Sequence, residues 1–429
     1  MHPDMPAAEA PAHSAAIPHP VVFLVAIIPF GASLGFLTVT LGYQLAQKGV
    51  AASAIAGLVA ASFIPHTWRF LWAPLVDTLG TRKAWYLAGT AICGGGLCLA
   101  GHLADSTHPA LFALGVLLVA YSFGATVLSM SLEGLMAAIV PVERRGRVSG
   151  WFQAGNLGGQ GVGGGLALWL IQGLGWSCLA SAATLAAAFA LCCLTMRVLP
   201  NPRPLLAPPG HEAAPRHRAL SNARAIVLDL WRLARSRPGA LALLVCFMPI
   251  ASGAASNLWS AVAGDWRAGA NTVALVNGAM SGVLSAAGCM VGGWLCDRLE
   301  HRTAYCLFGL GLAACALAMA EAPRDPAQFV VWTSVYSFVT GLGFAAYTVI
   351  VFDAIGQTAA ATKFSLLASL ANMPIQYLTL IDGAAHDRWG TNGLLVADGL
   401  AGIVGVSVFA SVAAATRRRK PAGAASALA

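Results

Sequence analysis

The chain has 429 residues, 58% hydrophobic and 10% charged, with a mean hydropathy of +0.71, whereas soluble domains carry about 25% charged residues. A single soluble domain is excluded. The formal net charge of +8 points to nucleic acid only if the bases cluster on a folded surface, and they do not.

Residues 1–20 are polar and rich in Pro and His, without the basic start and cleavage site of a signal peptide, and predict a disordered tail. Twelve apolar stretches follow, at 21–46, 54–76, 84–103, 110–139, 148–172, 176–199, 239–263, 272–296, 304–320, 327–352, 364–382 and 394–415. Most are about twenty residues or longer, enough to cross a hydrocarbon core of roughly 30 Å. Of the 25 Lys and Arg, 20 fall in alternate loops and tails on one side, counting Arg197 at the end of the sixth stretch, and 4 on the other, with Arg69 alone deep inside a span. The bias predicts that both termini and the basic loops are cytoplasmic.

The organisation expected is a six-helix bundle over 21–199, a cytoplasmic linker over 200–238, a second bundle over 239–416 and a basic tail over 417–429. The linker opens on NPRPLLAPPG, which cannot start a helix. Its later part sets Ile226, Val227, Leu230, Leu233 and Ala234 largely against Arg224, Asp229, Arg232 and Arg235, the pattern of a basic amphipathic helix on the inner membrane surface or of a juxtamembrane continuation of the next span. All ten Cys lie in apolar spans with no CxxC pair and no His at ligand spacing, so no disulfide, metal or cofactor is expected.

Two loops repeat one another. Asp77, Leu79, Arg82 and Ala84 match Asp297, Leu299, Arg302 and Ala304 at a shift of 220, with Trp85 facing Tyr305. Span five carries Gln153, Asn156 and Gln160 at i, i+3 and i+7, and span eleven repeats the spacing with Ser369, Asn372 and Gln376. Each set forms one polar stripe near mid-depth. Glu133 meets Asp353 at 220, whereas the Tyr-Ser-Phe triplets at Tyr121 and Tyr336 differ by 215, so both matches cannot hold without an insertion.

Two like bundles around a polar midplane are how secondary transporters alternate access. The segment Ala73 to Lys83 and its copy Gly293 to Arg302 resemble the loop signature G-x-x-x-D-R-x-G-R-R of the major facilitator superfamily, each copy incomplete. The resemblance implies an all-α integral membrane fold of two pseudo-symmetric six-helix bundles, with Asp77, Arg82, Asp297, Arg298 and Arg302 bracing a cytoplasmic gate. Within that family, Arg69-Phe-Leu-Trp-Ala-Pro-Leu-Val-Asp77 is similar to the second-span signature of the branch holding muropeptide permeases, acetyl-coenzyme A transporters and some siderophore permeases.

Arg69, a charge within a span, either binds an anionic substrate group or pairs with Glu133. Gln153, Asn156, Gln160, Asn257, Asn372 and Gln376 complete the substrate-binding set, and Glu133 and Asp353 are candidates for proton coupling or for bracing the gate. Asp382 and Asp398 are expected near the outer face, capping a helix or pairing with Arg388; His66 is expected as a packed polar residue. The glycines from Gly155 to Gly165 predict close helix approach rather than a phosphate loop, since no Gly-Lys-Ser/Thr follows.

The expected function is a monomeric, proton-coupled importer of a bulky anionic or amphipathic solute in a bacterial inner membrane. A drug or metabolite exporter on the same fold is the alternative. An enzyme is not expected, the isolated His386-Asp387 pair being too little for a catalytic set.

Overall fold

The computed structural model describes residues 18–73, 76, 80–141, 144–200, 228, 231, 235–355 and 366–418. Asp77, both tails beyond these limits and nearly all of the 200–238 linker with its expected amphipathic helix lie outside the described residues. Among the described residues, helix is the only regular structure.

Twelve passes follow one another: α1 (Val21–Gln47), α2 (52–71), α3 (Arg82–Asp105), α4 (Leu111–Ile139), α5 (145–174), α6 (Cys178–Val198), α7 (237–262), α8 (Ala270–Cys296), α9 (His301–Glu321), α10 (Pro326–Ile355), α11 (366–389) and α12 (391–418). Seven of them, and the stretch Leu366–Ala415 that joins α11 to α12, are long and apolar enough to cross a membrane. The other three are interrupted or diluted, each for a legible reason. In α2, Pro65 supplies no amide hydrogen; the helix breaks at Phe63 and again at Trp68, leaving Arg69–Leu71 as a 3-10 turn. α5 is diluted by its glycines and polar stripe. α7, expected unbroken over 239–263, unwinds after Phe247 around Pro249, and resumes only past Gly253 at φ 70°. Within that break Ala251 takes φ 52°, a left-handed conformation that costs roughly 1–2 kcal/mol for a residue with a Cβ.

The helices pack as two like bundles. In the first, α3 lies against α4 and α6, and α1 against α5; in the second, α9 lies against α10 and α12, and α8 against α10. Tyrosines mark the equivalence: Tyr86 of α3 donates to Ala26 O of α1 (2.7 Å), and Tyr305 of α9 donates to Ile250 O in the α7 break (3.3 Å). Tyr86, not Trp85, therefore stands opposite Tyr305, at a shift of 219. α4 and α10 begin 215 residues apart, at Leu111 and Pro326. That register favours the Tyr121–Tyr336 match, so Glu133 and Asp353 do not occupy equivalent places.

The α1–α5 contact runs on glycine. A Cβ built on Gly163 would lie 1.9 Å from Ala32 O, and one on Gly155 would lie 2.2 Å from Leu24 O, so any side chain there would separate the helices. Large apolar groups such as Phe112, Met290, Val283 and Leu191 stand more than half exposed on the outside. In water such a surface would aggregate; in hydrocarbon it is solvated. The bundles meet along two seams, α2 with α11 and α5 with α8.

Candidate functional site

Arg69 belongs to the α2–α11 seam. Its 3-10 turn carries the side chain between both bundles: Nη1 lies 3.2 and 3.4 Å from the two Glu133 oxygens of α4, and Nε donates to Ser369 Oγ of α11 at 2.8 Å. Glu133 also accepts from Ser129 Oγ (2.9 Å). The Arg69 and Glu133 side chains are 18% and 34% exposed, so the pair is reached by solvent inside a bundle that otherwise excludes charge. The pairing with Glu133, open as an alternative in the sequence, is present.

The expected substrate-binding residues divide into three groups. Next to Arg69, Asn372 donates to Ser369 O (3.0 Å), and Gln376 donates to Thr67 Oγ1, a second polar tie from α11 to α2. On α5, Asn156 donates to Gln153 Oε1 (3.3 Å), its own Oδ1 is buried without a partner, and the Gln160 carbonyl faces Gly35 of α1. The two stripes share a spacing but not their partners, since only the α11 stripe is tied to α2. Asn257 stands apart, donating to Thr379 Oγ1 of α11 at 3.0 Å. His66 packs between the Phe30 and Phe63 rings and lies 2.8 Å from Thr126 Oγ1.

Of the expected gate residues, Arg82 donates to Gly134 O, one residue beyond Glu133. Asp297 and Arg298 are exposed, with the Arg298 guanidinium 3.7 Å over the Trp294 ring. Arg302 is half-buried at the start of α9. The side chain of Asp353, like the whole of Asp77, lies outside the described residues.

At the opposite end the bundles are clasped. The Ser53 amide of α2 donates to Asp387 Oδ2 (3.2 Å), beyond which His386 Nε2 lies 2.8 Å from Asp265 Oδ2 and Thr391 donates to the same oxygen. The hydrogen bond from His386, then that from Thr391, holds the Asp265 carboxyl below its usual range against the opposing effect of burial.

Asp382 and Asp398 correct the expectation made for them. Arg388 is exposed and contacts neither. α11 does not end at Asp382 but continues to the Gly390 kink, which leaves Asp382 about two turns, roughly 10 Å, inside the helix. It is 0% exposed and Asp398 5%. Asp398 accepts from Tyr336 Oη at 2.9 Å, while neither Asp382 oxygen has a hydrogen-bond partner. The sequence carried little signal for this, since the residues past Asp382 run Gly-Ala-Ala-His-Asp-Arg-Trp389 and mix small apolar with charged side chains.

Beside the α7 break a small cavity of about 30 Å³, room for a water or two, is lined by Ile250, Tyr305, Phe344, Tyr347 and Pro374 among others. Broken helices next to a cavity are a recurring feature of transporter midplanes.

Comparison with known proteins agrees with this architecture. The family model of the Major Facilitator Superfamily matches residues 21–375. Anhydromuropeptide permease of Escherichia coli strain K12 is 26% identical over 344 residues, 76% of this chain and 66% of that protein, so the match spans just under two thirds of the relative. Among solved structures, a POT family transporter in complex with a thioalcohol-conjugated peptide superposes with a TM-score of 0.69 at 10% identity, covering 94% of this chain and 96% of the other. A D-xylose–proton symporter superposes at 0.67 and 14% identity, covering 91% and 96%. The nucleoside transporter NupG does so at 0.67 and 12%, covering 91% and 98%. At these identities the structures speak for the fold alone.

Proposed function

This chain belongs to the Major Facilitator Superfamily of transporters, and on that premise we propose that it imports a bulky anionic or amphipathic solute together with protons by alternating access. The observation that carries the reading is the partly exposed Arg69–Glu133 pair at the seam between the bundles. A charge held there is costly even when paired, and intramembrane ionisable groups by default mark substrate or ion pathways. In the empty transporter Glu133 neutralises Arg69; an incoming carboxylate or phosphate competes for the same planar fork of donors, and Glu133 is released to take a proton or brace the gate. Ser369, Asn372 and Gln376 place α11 next to that exchange, so the same contact that recognises the solute reports its arrival to the second bundle.

The 26% identity to a muropeptide permease favours a muropeptide among anionic solutes, ahead of a siderophore or an acyl-coenzyme A. The chain works as a monomer in a bacterial inner membrane, with both termini and the loops of Arg82 and Arg302 in the cytoplasm. Asp77, Arg82, Asp297, Arg298 and Arg302 brace the inner gate, and the Ser53–Asp387 clasp closes the outer one.

The test is uptake into proteoliposomes of anhydromuropeptide, acetyl-coenzyme A and a ferric siderophore, each with and without a protonophore. Uptake of the muropeptide that collapses with the protonophore is the expected result. Uptake indifferent to the protonophore would remove the proton, and failure of all three would remove the anionic solute.

A further inference from the structure

The strongest feature not used above is buried in the second bundle. Asp382 of α11 and Asp398 of α12 lie within one another's electrostatic reach, and Tyr336 of α10 neighbours both. Trp259 of α7 packs edge-on against Tyr336 at 5.3 Å; it is 2% exposed and its Nε1 hydrogen has no acceptor. The groups facing the pair are few and mostly neutral: Trp259 from α7, Cys315 from α9, Tyr336 from α10 and Thr379 one turn earlier on α11. Farther along, His386 is engaged with Asp265, and Arg324 donates to Ala320 O (3.3 Å) and to Asn392. On α2, the residues that meet the adjacent Gly383 are Ala52, Ser53 and Ala56, none charged. Among the described residues no Lys or Arg bonds either carboxyl.

An ionised carboxylate buried without a partner costs several kcal/mol, and a second carboxyl within electrostatic reach disfavours ionising both. In this arrangement the pair carries at least one proton. What makes the proton exchangeable is the place. The next residue, Gly383, presses on the other bundle: a Cβ there would lie 2.5 Å from Ala56 Cβ and 3.0 Å from Ala52 O and Ser53 Cα. Four residues beyond, Asp387 accepts the Ser53 amide. If α2 and α11 part at this end, water reaches the flank of Asp382 and the carboxyl can ionise; if they close, it must be neutral.

We propose that Asp382 and Asp398 form a proton-binding site, with Tyr336 as its hydrogen-bond donor, and that one exchangeable proton on this pair is the condition for closing the clasped end. The inference rests on the alternating-access reading and deepens it. It puts the proton on the second bundle, apart from the anion-facing Arg69–Glu133 pair, and the two communicate along α11, which carries Ser369, Gln376, Thr379 and Asp382 in succession.

Infrared spectroscopy of the full-length protein in substrate-free, sodium-free proteoliposomes reads the site directly, as the carbonyl band of a protonated carboxyl titrated from about pH 5 to about pH 10. The band is expected to bleach as pH rises, and its titrating part to be missing in Asp382→Asn and in Asp398→Asn. Tyr336→Phe keeps both carboxyls but removes the donor that stabilises the ionised Asp398, so the midpoint should move up by about one pH unit. A merely structural role for Tyr336 would leave the midpoint alone. A band that never titrates, or titration that survives Asp382→Asn, overturns the site, and bleaching by added sodium at fixed pH would make it a metal-cation site instead. Uptake separates the two readings. Protonophore-sensitive uptake persisting in Asp382→Asn overturns the proton site while transport stands; a titrating band in a protein that takes up none of the three solutes overturns the transport reading and leaves the proton site.

Discussion

Arg69 is the residue on which recognition turns, and its geometry makes two roles separable. It is paired with Glu133 and bonded to Ser369, and because both members of the pair are partly solvated, the pair by itself contributes only modestly to stability. Arg69→Ala should therefore leave a folded protein that has lost uptake by more than tenfold. Arg69→Lys should keep a fraction, roughly a tenth, because a point charge survives while the two-pronged fork does not. The double variant Arg69→Ala, Glu133→Ala decides between recognition and bracing. If the two served only each other, removing both would leave no unmatched charge and uptake would return; persistent loss, with membrane insertion and thermal unfolding unchanged, is the outcome expected here.

At the scale of the helix, α1 and α5 are held by the absence of side chains. Gly163 faces the Ala32 carbonyl at a distance no Cβ tolerates, whereas Gly158 on the same helix has nothing within 4 Å of its would-be Cβ. Gly163→Ala should cost about 1–3 kcal/mol by forcing the helices apart. Gly158→Ala should be neutral or mildly stabilising, by up to about 1 kcal/mol, since Ala restricts the unfolded chain. Thermal unfolding in detergent compares the two, and equal effects would mean that the close approach is not what holds this pair of helices. The breaks in α2 and α7 obey the same local chemistry, through Pro65 in one and Pro249 with Gly253 in the other, and each puts irregular backbone beside a candidate site.

For the whole molecule, the distribution of charge predicts orientation. Reporter fusions after Ala8 and after Ala425 should both report cytoplasm, and one near Asp105 the opposite side, because 20 bases lie on one side against 4 on the other. A terminus found outside would reverse the assignment of gate and clasp, and with it the side from which the proton enters.

Hydropathy, charge bias and the duplicated Asp77 and Asp297 loops sufficed for the all-α class, the twelve spans, the like halves and the family, because these depend on composition and on spacing along the chain. Arg69 and Glu133 were legible as a pair for a similar reason: a charge inside hydrocarbon needs a partner, and few were available. What only the tertiary structure decided depends on where helices end and which faces meet. Asp382 reads as an end-of-helix residue only if α11 stops there; two more turns bury it within electrostatic reach of Asp398 and Tyr336, on other helices. Ser369 could be placed on a polar stripe, but not against Arg69, 300 residues earlier. The register of α4 on α10, which favours Tyr121 with Tyr336 over Glu133 with Asp353, came from where the two helices begin, since a repeat that has drifted by five residues carries no mark of where the insertion fell.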